Sequence, residues 1–373
     1  MEKKVLIDVT TTVPKPNSYI SGIGKSTYWL INTINTLPQD EIPFNIELCS
    51  VGLKSIGFKF YNWHFNHHVI PVPQSLKFGQ KNGPCIWRNT FLRYDLFHQP
   101  AIYDYFLDKE NVVSTFHDLD VYEITDNKLI KMLHEKTAKK CQGIVCCSEF
   151  SKKEVVEKLG IEPEKIKVIY WGCDRGLFRK KSKEEIDKVL TKYNIKQPFF
   201  FACSCSNPRK NIESALAAFR KFLINNPQHI FVLAWGDPRK ELLEEYKFEI
   251  EQKKILILPY INDEELVSLY NAASMSIYVT RKEGFGFPIL ESFACGTPIM
   301  TCRNSCLEEV GKDAAIYVGE DDIDKMAAIM MSFERQEYDY ENFQKRSNSV
   351  LSSFSWEQCA CEYIDFYKKA LSI

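Results

Sequence analysis

The sequence predicts an α/β protein built on parallel sheets and divided into two domains. Three observations predict it. The chain has 373 residues, more than one hydrophobic core usually organises. Short apolar runs suited to buried strands alternate with longer stretches of helical period, the pattern of parallel strands joined by crossover helices. From Met275 onward, one stretch reads as strand, glycine loop and helix: Met275–Val279 is apolar, Gly284 and Gly286 follow, and Pro288 suits the first turn of a helix. Glu283 lies in that loop and Glu291 about one turn into the helix, so both can face one ligand. Glycines let backbone approach a ligand, and helix N-terminal amides favour an anion. Taken alone, the two glutamates could equally be solvated or capping.

Composition narrows the class. Hydrophobic residues make up 45% and charged residues 26%, with a net charge of −1, as in an ordinary soluble globular protein with no general attraction to nucleic acid. No apolar run approaches the ~20 residues needed to span a bilayer, and the opening MEKKVLIDV reads as a first strand rather than a signal peptide. The thirteen cysteines form no C-x-x-C pair and scatter through apparent strands, as at Cys49, Cys146, Cys147, Cys203 and Cys205. Free thiols in a reducing cytosol are expected, not zinc or disulfides.

In the first half, Val5–Val9 is a short buried strand. Ser21-Gly22-Ile23-Gly24 then opens a helix with Ile23, Leu30, Ile34 and Leu37 on one face. Gly24-Lys25-Ser26-Thr27 ends like a phosphate-binding P-loop, but Tyr19 stands where that motif needs glycine, and the loop is too long. An NTPase is therefore disfavoured, although a glycine turn at a helix start still suits a phosphate. Residues 48–94 contain no Asp or Glu. They carry Lys54, Lys59, Lys77, Lys81, Arg88 and Arg93 among nine aromatics. Such a segment could face anionic headgroups or a lipid-linked phosphate; alternatively, Phe58–Phe65 is a strand or hairpin packing its rings inward. Strands at Tyr94–Gln99 and Val112–Phe116 follow, the second ending in His117-Asp118. Ligands of open α/β sheets gather at carboxyl strand ends, which makes His117 a candidate; it could also be satisfied within the fold. A helix near 127–140, a strand at Gly143–Cys147, a helix start with Ser151 and Glu154 as capping box, and a strand at Val168–Gly172 complete this half.

In the second half, the charged run 179–192 reads as a linker or opening helix. Pro198 precedes a strand at Phe199–Cys203. Next come Asn207-Pro208-Arg209-Lys210-Asn211 and a helix burying Ala215, Leu216, Phe219 and Phe222. Arg209 and Lys210 at a strand-to-helix turn are either surface charge or an anion clamp. Strands at Ile230–Trp235 and Ile255–Leu258 alternate with helices near 241–252 and 263–272, and a terminal helix follows Phe354-Ser355-Trp356.

The segment from Thr280 to Cys302 resembles the signature of glycosyltransferase family 4, retaining enzymes that move a sugar from a nucleotide diphosphate. The likeness continues through Cys295-Gly296-Thr297-Pro298 and Gly311-Lys312-Asp313-Ala314-Ala315, and is densest from Phe199 to Val318. It implies the GT-B architecture, two Rossmann-like domains facing across a cleft. Their expected bounds are residues 1–175 for the acceptor domain, with helix 355–373 packing back on it, and 176–354 for the donor domain. By that resemblance Glu283 borders the donor sugar and Glu291 holds the ribose. Arg209 and Lys210 grip the diphosphate, and Gly22 and Gly24 approach it from the other domain. His117 lies near the sugar, and Ile261 meets the nucleobase through its backbone. Phe285, Gly286 and Phe287 orient the sugar, and Ser305 lies beside the diphosphate. Some places depart from the family pattern: Trp171-Gly172-Cys173-Asp174 replaces the usual Asn-Gly-Val-Asp turn, and related chains often have a proline where Glu308 stands or a Gly-Gly where Ser305-Cys306 stands. The resemblance implies a nucleotide-sugar donor, GDP-mannose first and a UDP-sugar second, with no metal or other cofactor. The acceptor is expected to be a glycan or a lipid-linked sugar of bacterial surface polysaccharide, handled in the cytoplasm or at the membrane's inner face, with no nucleic-acid partner. A sugar-phosphate synthase or epimerase of the same fold, and a nucleotide-binding protein without catalysis, are the alternatives.

Overall fold

In a computed structural model, the described residues are 2–13, 21–52, 61–70, 93–102, 111–119, 128–203, 207–234 and 238–373. The chain forms two units, Met1–Gly172 with Phe354–Ile373, and Cys173–Ser353.

The first unit holds a sheet of seven strands among the described residues: β1 (Lys4–Asp8), β2 (Asn45–Val51), β3 (Asn66–Ile70), β4 (Leu96–Gln99), β5 (Val112–Phe116), β6 (Gly143–Cys146) and β7 (Ile166–Val168). Their order is β3-β2-β1-β4-β5-β6-β7 and every pairing is parallel. The order reverses between β1 and β4, and that switch point is where open α/β sheets bind ligands. Helices α1 (Gly22–Thr36), α2 (Lys128–Lys140) and α3 (Glu149–Leu159) belong to this unit. Ser148, not Ser151, is the N-cap of α3: its hydroxyl accepts from Ser151 N at 3.1 Å. The expected Ser151–Glu154 box is thus displaced by three residues, because Ser148 already has the extended backbone a cap requires. Glu154 instead pairs with Lys158 at 2.5 Å. The last strand also stops at Val168, four residues short of expectation.

The second unit holds β8 (Phe199–Cys203), β9 (Ile230–Ala234), β10 (Ile255–Leu258), β11 (Met275–Tyr278), β12 (Ile299–Cys302) and β13 (Ile316–Val318). They form a parallel sheet in the order β10-β9-β8-β11-β12-β13. Its helices are α4 (Lys183–Lys192), α5 (Ile212–Leu223), α6 (Lys240–Glu245), α7 (Lys247–Glu251), α8 (Asp263–Ala272), α9 (Phe287–Ala294), α10 (Leu307–Gly311), α11 (Ile323–Glu334) and α12 (Tyr340–Ser352). Ser182 caps α4 in a capping box with Glu185, and Asn262 does the same for α8 with Glu265, each satisfying otherwise orphaned amides. The single helix expected near 241–252 is broken into α6 and α7 at Tyr246. Ala215, Leu216, Phe219 and Phe222 are buried as the α5 pattern predicted.

The terminal helix α13 (Trp356–Leu371) packs in the first unit against α1 and β4. Gly172 is required there, since a side chain on it would collide with the backbone nitrogen of Trp356. A buried polar chain ties the helix to the sheet. His98 on β4 meets Tyr367 OH at 2.6 Å through Nδ1 and Thr115 Oγ1 at 2.9 Å through Nε2, and Thr115 in turn meets Tyr363 OH at 3.0 Å. Burial pushes the His98 pKa down to about 3; His117 adds to the shift and Asp8 opposes it. A folded-state value below the unfolded one means the unfolded chain binds the extra proton. Stability from this group is therefore complete above the ordinary histidine value of 6.5 and drains as pH falls from there toward 3. The expected loss at pH 5 is ~2 kcal/mol from His98 alone. Denaturant midpoints measured from pH 7.5 to pH 4 should show it. The variant His98→Gln should be less stable at pH 7.5 yet flatter across that range; an unchanged slope would assign the acid sensitivity elsewhere.

In the described part of the acid-free segment, Tyr61 and Trp63 are half-buried and alternate with exposed residues. Tyr61 and Trp63 place their rings 4.4 and 5.8 Å from that of Tyr28 on α1, and 4.8 Å from each other. Of the strand or hairpin expected at Phe58–Phe65, residues 58–60 lie outside the described residues and 61–65 form no strand; a strand follows instead at Asn66–Ile70, paired in parallel with β2. Lys54, Lys59, Lys77, Lys81 and Arg88 lie outside the described residues. No helix among the described residues is long and apolar enough to cross a membrane.

Candidate active site

Strands β8 and β11 are neighbours at the sheet's switch point, and each releases one half of a charged cluster from its carboxyl end. After β8, Asn207 caps a short 3-10 turn, Pro208–Lys210, by accepting from Arg209 N at 2.9 Å. Asn211 then turns the chain in the left-handed region, at φ 53°. Asparagine tolerates that conformation better than most residues, and this one is 1% exposed, donating to the carbonyls of Val279 (3.1 Å) and Glu320 (2.8 Å). The turn is thereby bolted to the segment after β11. Arg281 N donates to Arg209 O at 2.9 Å, and Thr280 Oγ1 donates to the same carbonyl at 2.9 Å.

Glu283 sits at the centre of this arrangement. Lys210 Nζ is 2.5 Å from its Oε1, Arg209 Nη1 is 3.6 Å from its Oε2, and Thr280 Oγ1 is 3.2 Å from Oε1. The three charged side chains are only 10–19% exposed. Lys210 also donates to Tyr278 OH at 3.3 Å and lies 5.2 Å from that ring's centre. Tyr278 is buried, which pushes its pKa well above the usual phenol value, with Glu283 adding to the shift. It therefore stays neutral beneath the ammonium. The main chain of Glu283 is fixed from β12's side: its N–H donates to Ser305 Oγ at 3.1 Å and its carbonyl accepts from Cys306 Sγ at 3.2 Å. A carboxylate, an ammonium and a guanidinium held this closely at a switch point can bind a polyanion and orient a polar group beside it.

The rest of the loop forms as the glycines predicted. Gly286 is the N-cap of α9 with φ 92°, and a Cβ there would lie 3.1 Å from Leu307 Cδ2, so conformation and space both demand glycine. Phe285 is buried with its ring 5.2 Å from that of half-buried Phe287. Glu291, one turn into α9, accepts from Tyr270 OH at 3.4 Å. Ile261 is buried just beyond β10, next to half-exposed Tyr260.

Two predicted contributors belong to the first unit. Ser21 caps α1 by accepting from Gly24 N at 3.2 Å, so the Gly24 amide is already engaged, while Gly22 and Ile23 supply the first turn's other donors. His117, following β5, is 9% exposed; its Nε2 donates to Pro100 O at 2.5 Å. Burial lowers its pKa, and with Nε2 carrying the proton the Nδ1 lone pair is the ring's open valence. Nδ1 is buried without a partner. Such a histidine can accept a hydrogen bond from a hydroxyl but is a poor proton donor.

Sequence reasoning had missed Tyr278, Thr280 and the anchoring role of Asn211. Among the described residues, no three His, Cys, Asp or Glu side chains are grouped so as to hold a metal ion.

Two family models match the chain. One described as glycosyl transferases group 1 covers residues 182–350, and one described as Glycosyltransferase Family 4 covers 60–176. The chain belongs to glycosyltransferase family 4. An O-antigen chain mannosyltransferase B of Escherichia coli is 28% identical over 273 residues, 69% of this chain and 70% of that protein. Among solved structures, a sucrose-phosphate synthase of Thermosynechococcus elongatus has a TM-score of 0.71 at 15% identity, covering 99% of both chains. HepE of Anabaena, in complex with UDP and glucose, has a TM-score of 0.71 at 17% identity, covering 98% of this chain and 100% of that one. This family-4 glycosyltransferase thus has the GT-B fold, with a Rossmann-like sheet in each unit.

Proposed function

We propose that this glycosyltransferase moves a hexosyl group, with retention, from a nucleotide-diphosphate sugar to a glycan or lipid-linked acceptor in bacterial surface polysaccharide assembly. The observation that carries the reading is the convergence of Arg209 and Lys210 on Glu283 at the β8/β11 switch point. GDP-mannose is the first choice of donor; the O-antigen mannosyltransferase relative supports it. A UDP-sugar is second, supported by the UDP and glucose bound to HepE.

In this reading the bond between the sugar's anomeric carbon and the β-phosphate oxygen breaks, and a bond to the acceptor oxygen forms on the same face. Lys210 and Arg209 meet the charge that grows on the leaving phosphate, so no metal is required for that task. The acceptor's proton passes to the departing phosphate. Glu283 and the amides at Phe285 and Gly286 orient the sugar, with Ser305 holding Glu283 in place. Glu291 holds the ribose and Ile261 borders the base. His117 accepts from a sugar hydroxyl through Nδ1, and the first turn of α1 adds the Gly22 and Ile23 amides as donors for the diphosphate, the Gly24 amide being held by Ser21. The work is done at the cytoplasmic face of the membrane, with the basic residues of 48–94 meeting a lipid-linked acceptor.

A thermal-shift panel of GDP, UDP and ADP tests the donor. A ligand at 100 times its Kd stabilises by ~2.7 kcal/mol, so GDP should raise Tm most, and GDP release should depend on an added acceptor. Greatest stabilisation by UDP would move the donor to the second choice; stabilisation by none of the three would sink the reading. A second reading, sugar-phosphate synthesis, is favoured by a 26% identity over 259 residues to a probable sucrose-phosphate synthase of Thermosipho melanesiensis, and predicts turnover with a free sugar phosphate as acceptor.

A further inference from the structure

Away from the candidate active site, the second unit contains a cavity of about 390 Å3 lined by Arg303, Lys312, Asp313, Ala315, Tyr317, Lys325 and Arg346. Four cations reach it from four separate places: the loop after β12, the loop before β13, the first turn of α11, and α12. Residues spread over more than forty positions do not converge through local helix or strand periodicity. The folded chain assembles the set.

The charge is only partly compensated from within. Arg303 pairs with Glu308 at 2.7 Å and lies 4.7 Å over the Tyr317 ring. Arg346 Nη1 donates to Asp313 O at 2.7 Å, but its Nε is buried without any hydrogen-bond partner. A buried guanidinium N–H left unmet is unfavourable unless an acceptor comes to it. Exposed Lys325 has no carboxylate partner among the described residues. The wall itself is held rigidly. Lys312 adopts φ 44°, a backbone region that favours glycine, and its carbonyl accepts from Tyr317 OH at 2.7 Å. Uncommon backbone of this kind persists only where its surroundings hold it. These residues include Gly311–Ala315, a motif to which the transfer reaction assigns no role.

We propose that this cavity is a second anion site, one that takes a phosphate-bearing ligand, either a phosphomonoester or a pyrophosphate group. Two arginines supply planar donor forks that match phosphate oxygens, two lysines supply point charge, and the Tyr317 phenol lines the wall. The ligand is a soluble phosphate compound or a phospholipid headgroup, since both present the same oxygens. None of the lining residues is Arg209, Lys210, Glu283 or Glu291, so the inference stands apart from the donor assignment.

Titration with inorganic pyrophosphate, followed by calorimetry, tests it on four proteins: wild type, Lys210→Ala, and, each in the Lys210→Ala background so that only the cavity is read, Lys325→Glu and Arg303→Ser with Lys325→Ser. Binding at the cavity should persist in Lys210→Ala, which weakens only the candidate active site. It should fall at least ~10-fold in both cavity variants, and weaken as salt rises from 50 to 300 mM. Sedimentation with phosphatidylglycerol and phosphatidylcholine vesicles distinguishes the source. Preference for the anionic vesicles that Lys325→Glu abolishes assigns a lipid headgroup; pyrophosphate binding without vesicle binding assigns a soluble ligand. Binding that disappears in Lys210→Ala, binding that survives both cavity variants, or no binding of either probe overturns the proposal.

Discussion

Replacing Lys210 with Ala should lower kcat/KM for sugar transfer by ~10² or more, the scale of losing one fixed transition-state stabiliser. The ammonium is placed with little freedom, between Glu283 Oε1 at 2.5 Å, Tyr278 OH at 3.3 Å and the Tyr278 ring. The side chain is therefore already ordered. The same contacts make it part of the fold's polar packing. Its removal leaves Glu283 with Thr280 and the more distant Arg209, at a cost to stability of about 1–3 kcal/mol. A measured Tm and a kcat/KM on the same preparation separate the two effects. A folded variant with full transfer activity would make the pair ordinary surface charge. A variant that loses Tm but keeps activity would make Lys210 a structural partner of Glu283.

The cluster was legible in the sequence because its signals are local. Pro288, the glycines and the apolar run before them place β11 and α9 where they occur, and Pro198 and the Asn207–Asn211 turn place β8 and the basic pair. What the sequence did not show was the wiring between these segments. Tyr278 lies 68 positions from Lys210, and the Asn211 amide reaches Glu320 O across 109. Nothing in a buried tyrosine on an apolar strand distinguishes it from core until the opposite turn is in place. Asn211 gave a faint signal, as an asparagine directly ahead of a helix that follows a proline turn. The Ser151 cap was misplaced because Ser148, three residues earlier, offers the same hydroxyl chemistry, and only backbone angles choose between them. The cavity lined by Arg303, Lys312, Lys325 and Arg346 has no periodic trace at all.

The two glutamates should separate by role when each is replaced with Ala and titrated with bare nucleoside diphosphate. In the assigned division Glu291 holds the ribose, so its loss should weaken bare nucleotide by ~10-fold, as expected for a charged hydrogen bond worth about 1.5 kcal/mol or more. Glu283 has the opposite place. Its carboxylate neutralises Lys210 and Arg209, so removing it leaves both cations available to a diphosphate. Glu283→Ala should therefore bind bare nucleotide as well as wild type or somewhat more tightly. Its turnover with the complete nucleotide sugar should nevertheless fall by ~10², because the sugar loses the group that orients it. This pairing of kept affinity with lost rate is hard to obtain from simple unfolding, which would lower both. Calorimetric titration and single-turnover rates on the two variants supply the readout. Equal losses of nucleotide affinity would remove the division of labour, and a Glu283 variant that binds weakly but turns over normally would reverse it.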